Sequence, residues 1–232
     1  MISVVIPSLN ERENLEDRIP GIYETLGAES EVLVVDGESS DGTEEAVKLL
    51  QGDYDGLKYL KQSGSGFANA LLEGLAHAKG DVVVSMDAEN HDPTQIPKLI
   101  GKIREGYDLV IGSRFLKGSE VQLEAHRRAS TRIANKIASK TFKLGVEDTS
   151  SGYRAYTKKL LDDILLEDYK TDYFSVQVEL LEKSAGYKAR MTEVPVKYLR
   201  REKGESKFDF KPAVMDAGKL LKLAREKKAG GR

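Results

Sequence analysis

The 232-residue chain contains no cysteine and no tryptophan. Without cysteine, disulfides, thiolate metal sites and a cysteine nucleophile are all excluded, which fits a reducing compartment. Long apolar runs are missing too, and nothing approaches the ~20 residues that span a bilayer. The N-terminus opens directly on a strand pattern, Ile2-Ser3-Val4-Val5-Ile6, without a signal-peptide layout. The expectation is a cytoplasmic protein, with any membrane contact peripheral on the cytoplasmic face. There is no internal repeat and no low-complexity linker.

Net charge is also nearly absent, at -2, but its distribution is not even. Residues 1–113 carry 9 Lys/Arg against 21 Asp/Glu, whereas residues 114–143 carry 8 against 2 and residues 197–232 carry 12 against 5. An acidic first half with two later basic stretches suggests a cation handled early and an anion late; solvated helix faces are the plainer alternative. Nucleic-acid binding is disfavoured by the acidic half.

What is present is a rhythm. Short β-branched runs at residues 2–6, 31–35, 57–60, 82–86 and 109–112 alternate with amphipathic stretches at 11–26, 43–51, 67–78 and 96–105. That is the pattern of βαβ units and a mostly parallel α/β sheet flanked by helices. Asp41 with Glu44 three residues on has capping-box spacing. Beyond Ser113 the spacing predicts a loop over 115–125, a basic helix over 126–142, a turn-rich stretch over 148–156 and a helix over 173–185. A smaller β-rich piece follows over 189–198, then a charged loop over 199–211 and a terminal amphipathic helix over 212–228. Residues 1–211 are expected to form one catalytic domain, with 212–232 a C-terminal amphipathic helix and basic tail.

Open parallel sheets bind ligands at the carboxyl ends of their strands. The polar residues that follow the predicted strands are Pro7 to Glu11, Asp36 to Asp41, Asp87 to Asp92, and Ser113-Arg114. Among these, Asp87 and Glu89 stand two residues apart directly after a strand. Such closely spaced like charges call for a cation between them, and hard oxygen ligands suit Mg²⁺ or Mn²⁺ bridged to a diphosphate. An acidic loop capping the next helix is the structural alternative. His91 is placed either to join as a ligand or to contact one from behind.

Taken in order, several segments resemble the family-2 inverting glycosyltransferases, in particular the dolichol-phosphate mannosyltransferase group of polyprenol-phosphate sugar synthases. They are Val4 to Leu15, Val34-Val35-Asp36 with Ser39 to Thr43, Gly66 to Ala70, Met86 to Glu89, Gly112 to Phe115, Arg127 with Thr131 and Asn135, Asp148 to Arg154, and Gly204 to Lys207. The resemblance implies a GT-A (Rossmann-like) fold and metal-dependent inverting transfer of a mannose- or glucose-type hexose. The donor is a nucleoside-diphosphate sugar and the acceptor a polyprenyl (dolichyl) phosphate, with peripheral membrane contact or a membrane-protein partner.

By the same resemblance Pro7, Asn10, Glu11 and Asp36 hold the nucleotide, and Asp87, Glu89 and His91 the metal. Arg114, Arg127, Thr131, Arg201 and Lys207 hold the acceptor phosphate, and Asp87, Glu89, Arg114 and Arg127 carry the catalysis. Three positions depart from the family pattern: Gly37 stands where a second Asp is usual, Glu89 where Asp is, and His91 where Gln is. A glycosyltransferase with a soluble sugar or hydroxyl acceptor would need a base, for which Asp148 or Asp92 is available. A sugar nucleotidyltransferase would carry a Gly-rich basic loop in place of Pro7 to Leu15. A nucleotide-sugar-binding module with a degenerate site is the non-enzymatic alternative.

Overall fold

The computed structural model describes residues 1–171 and 173–199. Arg201, Lys207, most of the expected charged loop and the expected terminal helix lie outside the described residues. The first half alternates as the sequence implies: β1 (Ile2–Ser8), α1 (Arg12–Leu26), β2 (Glu31–Asp36), α2 (Thr43–Leu50), β3 (Leu57–Lys61), α3 (Gly66–His77), β4 (Val82–Ser85), α4 (Ile96–Arg104) and β5 (Leu109–Ser113). The second half adds β6 (Glu120–Val121), α5 (Ala125–Phe142), β7 (Arg154–Thr157), α6 (Lys158–Ile164), α7 (Val176–Gly186), β8 (Met191–Pro195) and β9 (Lys197–Tyr198).

Seven strands form one sheet in the order β3-β2-β1-β4-β7-β5-β8, and β6 and β9 make the small second sheet. All pairings in the large sheet are parallel except those of β7, which runs antiparallel to both β4 and β5. All six residues of β2 are buried, as expected of a strand covered on both faces, where apolar runs replace alternation. Neighbouring residues feed opposite cores. Val4, Ile6, Val32 and Val34 join the layer under α1 and α4, while Val5, Leu33 and Val35 join the layer with α3, α6 and α7.

The expected loop over 115–125 contains β6, helix α6 was not expected, and two further departures have clear physical causes. The stretch 148–156 is not all turn, because its end supplies β7. Arg154 hid that strand: it is fully buried, yet its guanidinium donates to the carbonyls of Ser151 (2.8 Å), Gln177 (2.7 Å) and Thr149 (2.8 Å). The expected capping box at α2 does not form either. Gly42, at φ 87°, is the N-cap residue. Asp41 instead accepts from the Thr43 and Arg12 amides, and Glu44 turns to Lys48 at 2.6 Å.

Helix α3 reaches the sheet at Gly74. A Cβ there would drive into Val5 Cγ1 and stand 2.9 Å from Val35 Cγ2. Overpacking of this kind costs about 1–3 kcal/mol. Gly74→Ala is therefore expected to lower the unfolding free energy by that amount, seen as a lower urea midpoint at unchanged m-value in equilibrium unfolding.

Candidate active site

Parallel β1, β2, β4 and β5 deliver their carboxyl ends to one edge. The antiparallel direction of β7 brings the residues before it, Asp148 to Tyr153, to the same edge. Asp87 lies just past β4 and keeps 32% of its side chain exposed to the cleft. Burial pushes its carboxyl up to about 6; the Arg114 charge opposes the rise and Glu11 adds to it. Gly152 packs closely behind it: a Cβ there would sit 3.1 Å from Asp87 Oδ1 and 3.5 Å from Gln177 Nε2.

Of the two roles open to His91, metal ligand or contact from behind, the geometry favours the second. The Asp87 N–H donates to His91 Nδ1 at 2.8 Å, which uses that lone pair and puts the ring proton on Nε2. Nε2 faces Asp87 Oδ2 at 3.7 Å. The ring is buried, stacks on Tyr153 at 4.6 Å and meets Tyr198 edge-on at 5.8 Å. Burial, followed by the Arg114 charge, lowers it to about 3, so it is neutral at physiological pH. With no lone pair to offer an ion, His91 orients Asp87 from behind.

Glu89 accepts from Asn90 Nδ2 at 2.6 Å. The backbone of this acidic turn is held by Arg18 of α1, which donates to the carbonyls of Ala88 (2.9 Å) and Glu89 (3.3 Å). Arg18 carries no signal in the sequence, because its partners are 70 residues away. Among the described residues, no group of three or more His, Asp or Glu side chains is assembled to hold a metal. The expected trio of Asp87, Glu89 and His91 is thus not a closed cage. What the residues do fit is a hard divalent ion that takes one or two carboxylates and draws its other oxygens from a diphosphate and water.

Arg114 is at the end of β5 and is 9% exposed. Its Nε and Nη2 donate to Asp148 at 2.8 and 2.7 Å, and Nη2 also reaches Ser150 Oγ at 2.8 Å. Asp148 is fully buried and accepts further from the Arg114 amide (2.9 Å) and Asn135 Nδ2 (2.9 Å). Burial would raise this carboxyl, but the bonds and charge of Arg114 outweigh it and hold it below the usual range. The expectation of an open guanidinium clamp is therefore modified: Arg114 is largely committed to Asp148, and acts on Asp87 through its charge. Asp148 and Asp92 are both poor candidates for a base, since Asp92 Oδ1 accepts from the Thr94 amide and hydroxyl.

On the far side, β1 and β2 interlock. The Asn10 amide donates to Ser39 Oγ at 2.7 Å, and the Ser40 amide to Asn10 Oδ1 at 2.8 Å. Asp36 is buried and accepts from the Ser39 amide and hydroxyl and from Tyr59 OH. Pro7 pairs in register with Val35, and the Glu11 amide donates to Thr43 Oγ1. Gln62 fills the space left by the missing acid: a Cβ on Gly37 would lie 3.1 Å from its Nε2. Gln62 is buried, and its Oε1 has no hydrogen-bond partner among the described residues.

Helix α5 carries Arg127, Thr131 and Asn135 one turn apart on a single face. The face runs from exposed Arg127 through half-buried Thr131 to buried Asn135, which ties it to Asp148. Arg127 keeps 59% of its side chain exposed, 4.0 Å from Glu124. The structure thus gathers Asp87, Glu89, His91, Arg114 and Asn135 around one edge, with Arg127 on the rim.

Residues 3–165 match the family model described as "Glycosyl transferase family 2". The chain belongs to that family. This family-2 chain is 35% identical over 216 residues to a dolichol-phosphate mannosyltransferase of Pyrococcus furiosus, covering 90% of this chain and 60% of the relative. It is 29% identical to an undecaprenyl-phosphate 4-deoxy-4-formamido-L-arabinose transferase of Salmonella paratyphi A, over 90% of this chain and 63% of that one. The chain therefore spans about three fifths of the length of these curated relatives.

Among solved structures, glucosyl-3-phosphoglycerate synthase from Mycobacterium tuberculosis, in complex with Mn²⁺, UDP-glucose and phosphoglyceric acid, superimposes with a TM-score of 0.73. Its identity is 21%, over 97% of this chain and 79% of that one. A complex of the same synthase with Mg²⁺ and UDP gives 0.67 at 22% identity, over 88% and 72%. The shared fold is GT-A.

Removing the carboxylate from the buried pair strands Arg114. Asp148→Asn should cost about 3–5 kcal/mol near neutral pH. The folded carboxyl is depressed, so the wild-type advantage is complete above the unfolded value of about 3.9 and is lost as pH falls through the folded value. Chemical denaturation of both proteins from pH 7 to pH 3 checks this, with the two stabilities converging on the acid side.

Proposed function

We propose that this chain transfers a hexose of the mannose or glucose type from a nucleoside-diphosphate sugar to a polyprenyl phosphate, with inversion and with Mg²⁺ or Mn²⁺. The observation that carries the reading is the division of the cleft. Asp87, with 32% of its side chain exposed, stands beside the Arg114 guanidinium, while Asp148 and Asp92, the two acids weighed as a base, both accept other hydrogen bonds. Transfer to a neutral hydroxyl needs a base. A phosphomonoester, with a second pKa of about 6, arrives already ionised. The curated relatives named above are polyprenol-phosphate sugar transferases, which supports the same acceptor class.

On this reading Asp87, with Glu89 behind it, holds the divalent ion, which when bound stabilises charge on the departing nucleoside diphosphate. His91 holds the Asp87 backbone through its amide, and Gly152 packs beside the carboxylate. Pro7, Asn10, Glu11 and Asp36 shape the nucleotide end, with Gln62 packed behind Gly37. Arg127 and Thr131 hold the acceptor phosphate through charge-assisted bonds, joined by Arg201 and Lys207. Arg114 raises the local positive potential from beneath. Alignment and charge supply the rate. Residues 1–211 form the catalytic unit and 212–232 a C-terminal appendage. Among the described residues no helix is long and apolar enough to cross a membrane, so this part of the chain meets the lipid acceptor peripherally or through a partner.

Labelled GDP- and UDP-sugars incubated with polyprenyl phosphate, with and without Mn²⁺ or Mg²⁺, test the assignment. A lipid-linked product that requires the metal is expected. Asp87→Asn should lower kcat by about 10²–10³, and Arg127→Ala should raise the acceptor KM about ten- to hundred-fold while leaving donor binding intact. Full metal-dependent transfer by Asp87→Asn contradicts the assignment.

A further inference from the structure

The acidic turn after β4 is shaped by groups from other parts of the chain. The Asn90 carbonyl accepts from the Leu199 amide at 2.9 Å, and the Asp92 carbonyl from the Tyr153 hydroxyl at 2.8 Å. The carbonyls of Ala88 and Glu89 both go to Arg18, which donates from Nε at 2.9 Å and from Nη2 at 3.3 Å. Residues 88–90 form a turn and not a strand, so two successive carbonyls can converge on one guanidinium. The planar fork of an arginine fits two neighbouring acceptors, and its charge strengthens both bonds.

These two carbonyls belong to the peptide groups on either side of the Glu89 Cα. Each peptide group is a rigid plane, so the backbone at one residue is set by the two dihedrals between its flanking planes. Holding both planes fixes the direction in which the Glu89 side chain leaves the main chain. Arg18 has a firm base from which to do so. Leu15 and Ile22 of α1, three residues before it and four after, are buried in the core, and such spacing puts them on its side of the helix. Arg18 itself is half-buried.

We infer that Arg18 is a positioning residue that sets the affinity of the site for its divalent ion by aiming the Glu89 carboxylate. The inference rests on the reading of Asp87 and Glu89 as metal ligands and deepens it. Each acid then has its own support, His91 at the amide of Asp87 and Arg18 at the two peptide planes of Glu89. A Glu has one more side-chain torsion than an Asp, and a fixed Cα–Cβ direction narrows where its carboxylate can go. Charge alone predicts the opposite effect, because a guanidinium near a cation site repels the ion. That charge does reach the region: burial and then Arg114 depress the His91 ring, and Arg18 adds to them. Removing a mere charge would tighten metal binding, whereas removing the aim of Glu89 weakens it.

The full chain and its variants are titrated with Mn²⁺, alone and with GDP or UDP, and the free ion is read by electron paramagnetic resonance below each variant's thermal transition. Arg18→Met should raise the Mn²⁺ dissociation constant about ten-fold, and Arg18→Lys, which keeps the charge and loses the fork, about three-fold. In sugar transfer the half-saturating Mn²⁺ should rise by the same factor, while kcat at saturating Mn²⁺ stays within about two-fold of wild type. In a Glu89→Gln background Arg18→Met should change Mn²⁺ affinity by less than about two-fold, because the carboxylate that Arg18 aims is gone.

Unchanged or tighter Mn²⁺ binding by Arg18→Met overturns the inference. So does a loss of affinity that persists in full in the Glu89→Gln background, which would make Arg18 a support of the whole turn and not of Glu89. A wild-type chain that binds no Mn²⁺ under either condition overturns the metal reading itself, so the two failures are told apart.

Discussion

The buried pair of Arg114 and Asp148 ties the site together. Two charges out of water persist only when the geometry is good and the remaining lone pairs are satisfied. Here Asp148 takes four hydrogen bonds, from the amide and guanidinium of Arg114 and from Asn135. The pair thereby joins the end of β5, the middle of α5 and the loop before β7. Its amide is held in turn by Glu193 of β8 at 2.9 Å. Three parts of the chain far apart in sequence are fixed at one place, and each brings something to the cleft.

The electrostatic consequence is a division of labour. Asp148 satisfies Arg114 locally, yet the guanidinium still lowers the Asp87 carboxyl against the effect of burial and helps keep His91 neutral. A neutral His91 can accept from the Asp87 amide and stack on Tyr153. A cationic ring would lose its acceptor and compete for any cation held by Asp87. The missing acid at Gly37 has a similar local answer, since the Gln62 side chain occupies the space that a side chain there would need.

Much of this was legible in the sequence where structure is local. The runs Val4-Val5-Ile6, Val32 to Val35 and Val82 to Val84 read as strands of a parallel sheet, which gathers the polar residues after them at one edge. Asp87 followed from its place after β4. What could not be read were the features made by distant contacts. Arg154 looks like a break in a strand until three carbonyls surround it. Arg18 is one charge among many on α1. The choice for His91 between ligand and orienting group turns on a single amide, and the commitment of Arg114 on a carboxylate 34 residues away.

The account stands on Asp87 as the anchor of a divalent ion shared with the donor diphosphate. Anomalous diffraction from crystals grown with Mn²⁺ and GDP or UDP addresses it directly. The expected result is one Mn²⁺ peak about 2.1 Å from an Asp87 carboxylate oxygen and bridged to the diphosphate, with His91 still bonded through Nδ1 to the Asp87 amide. A peak remote from Asp87, or one coordinated by His91 in its place, would contradict the account.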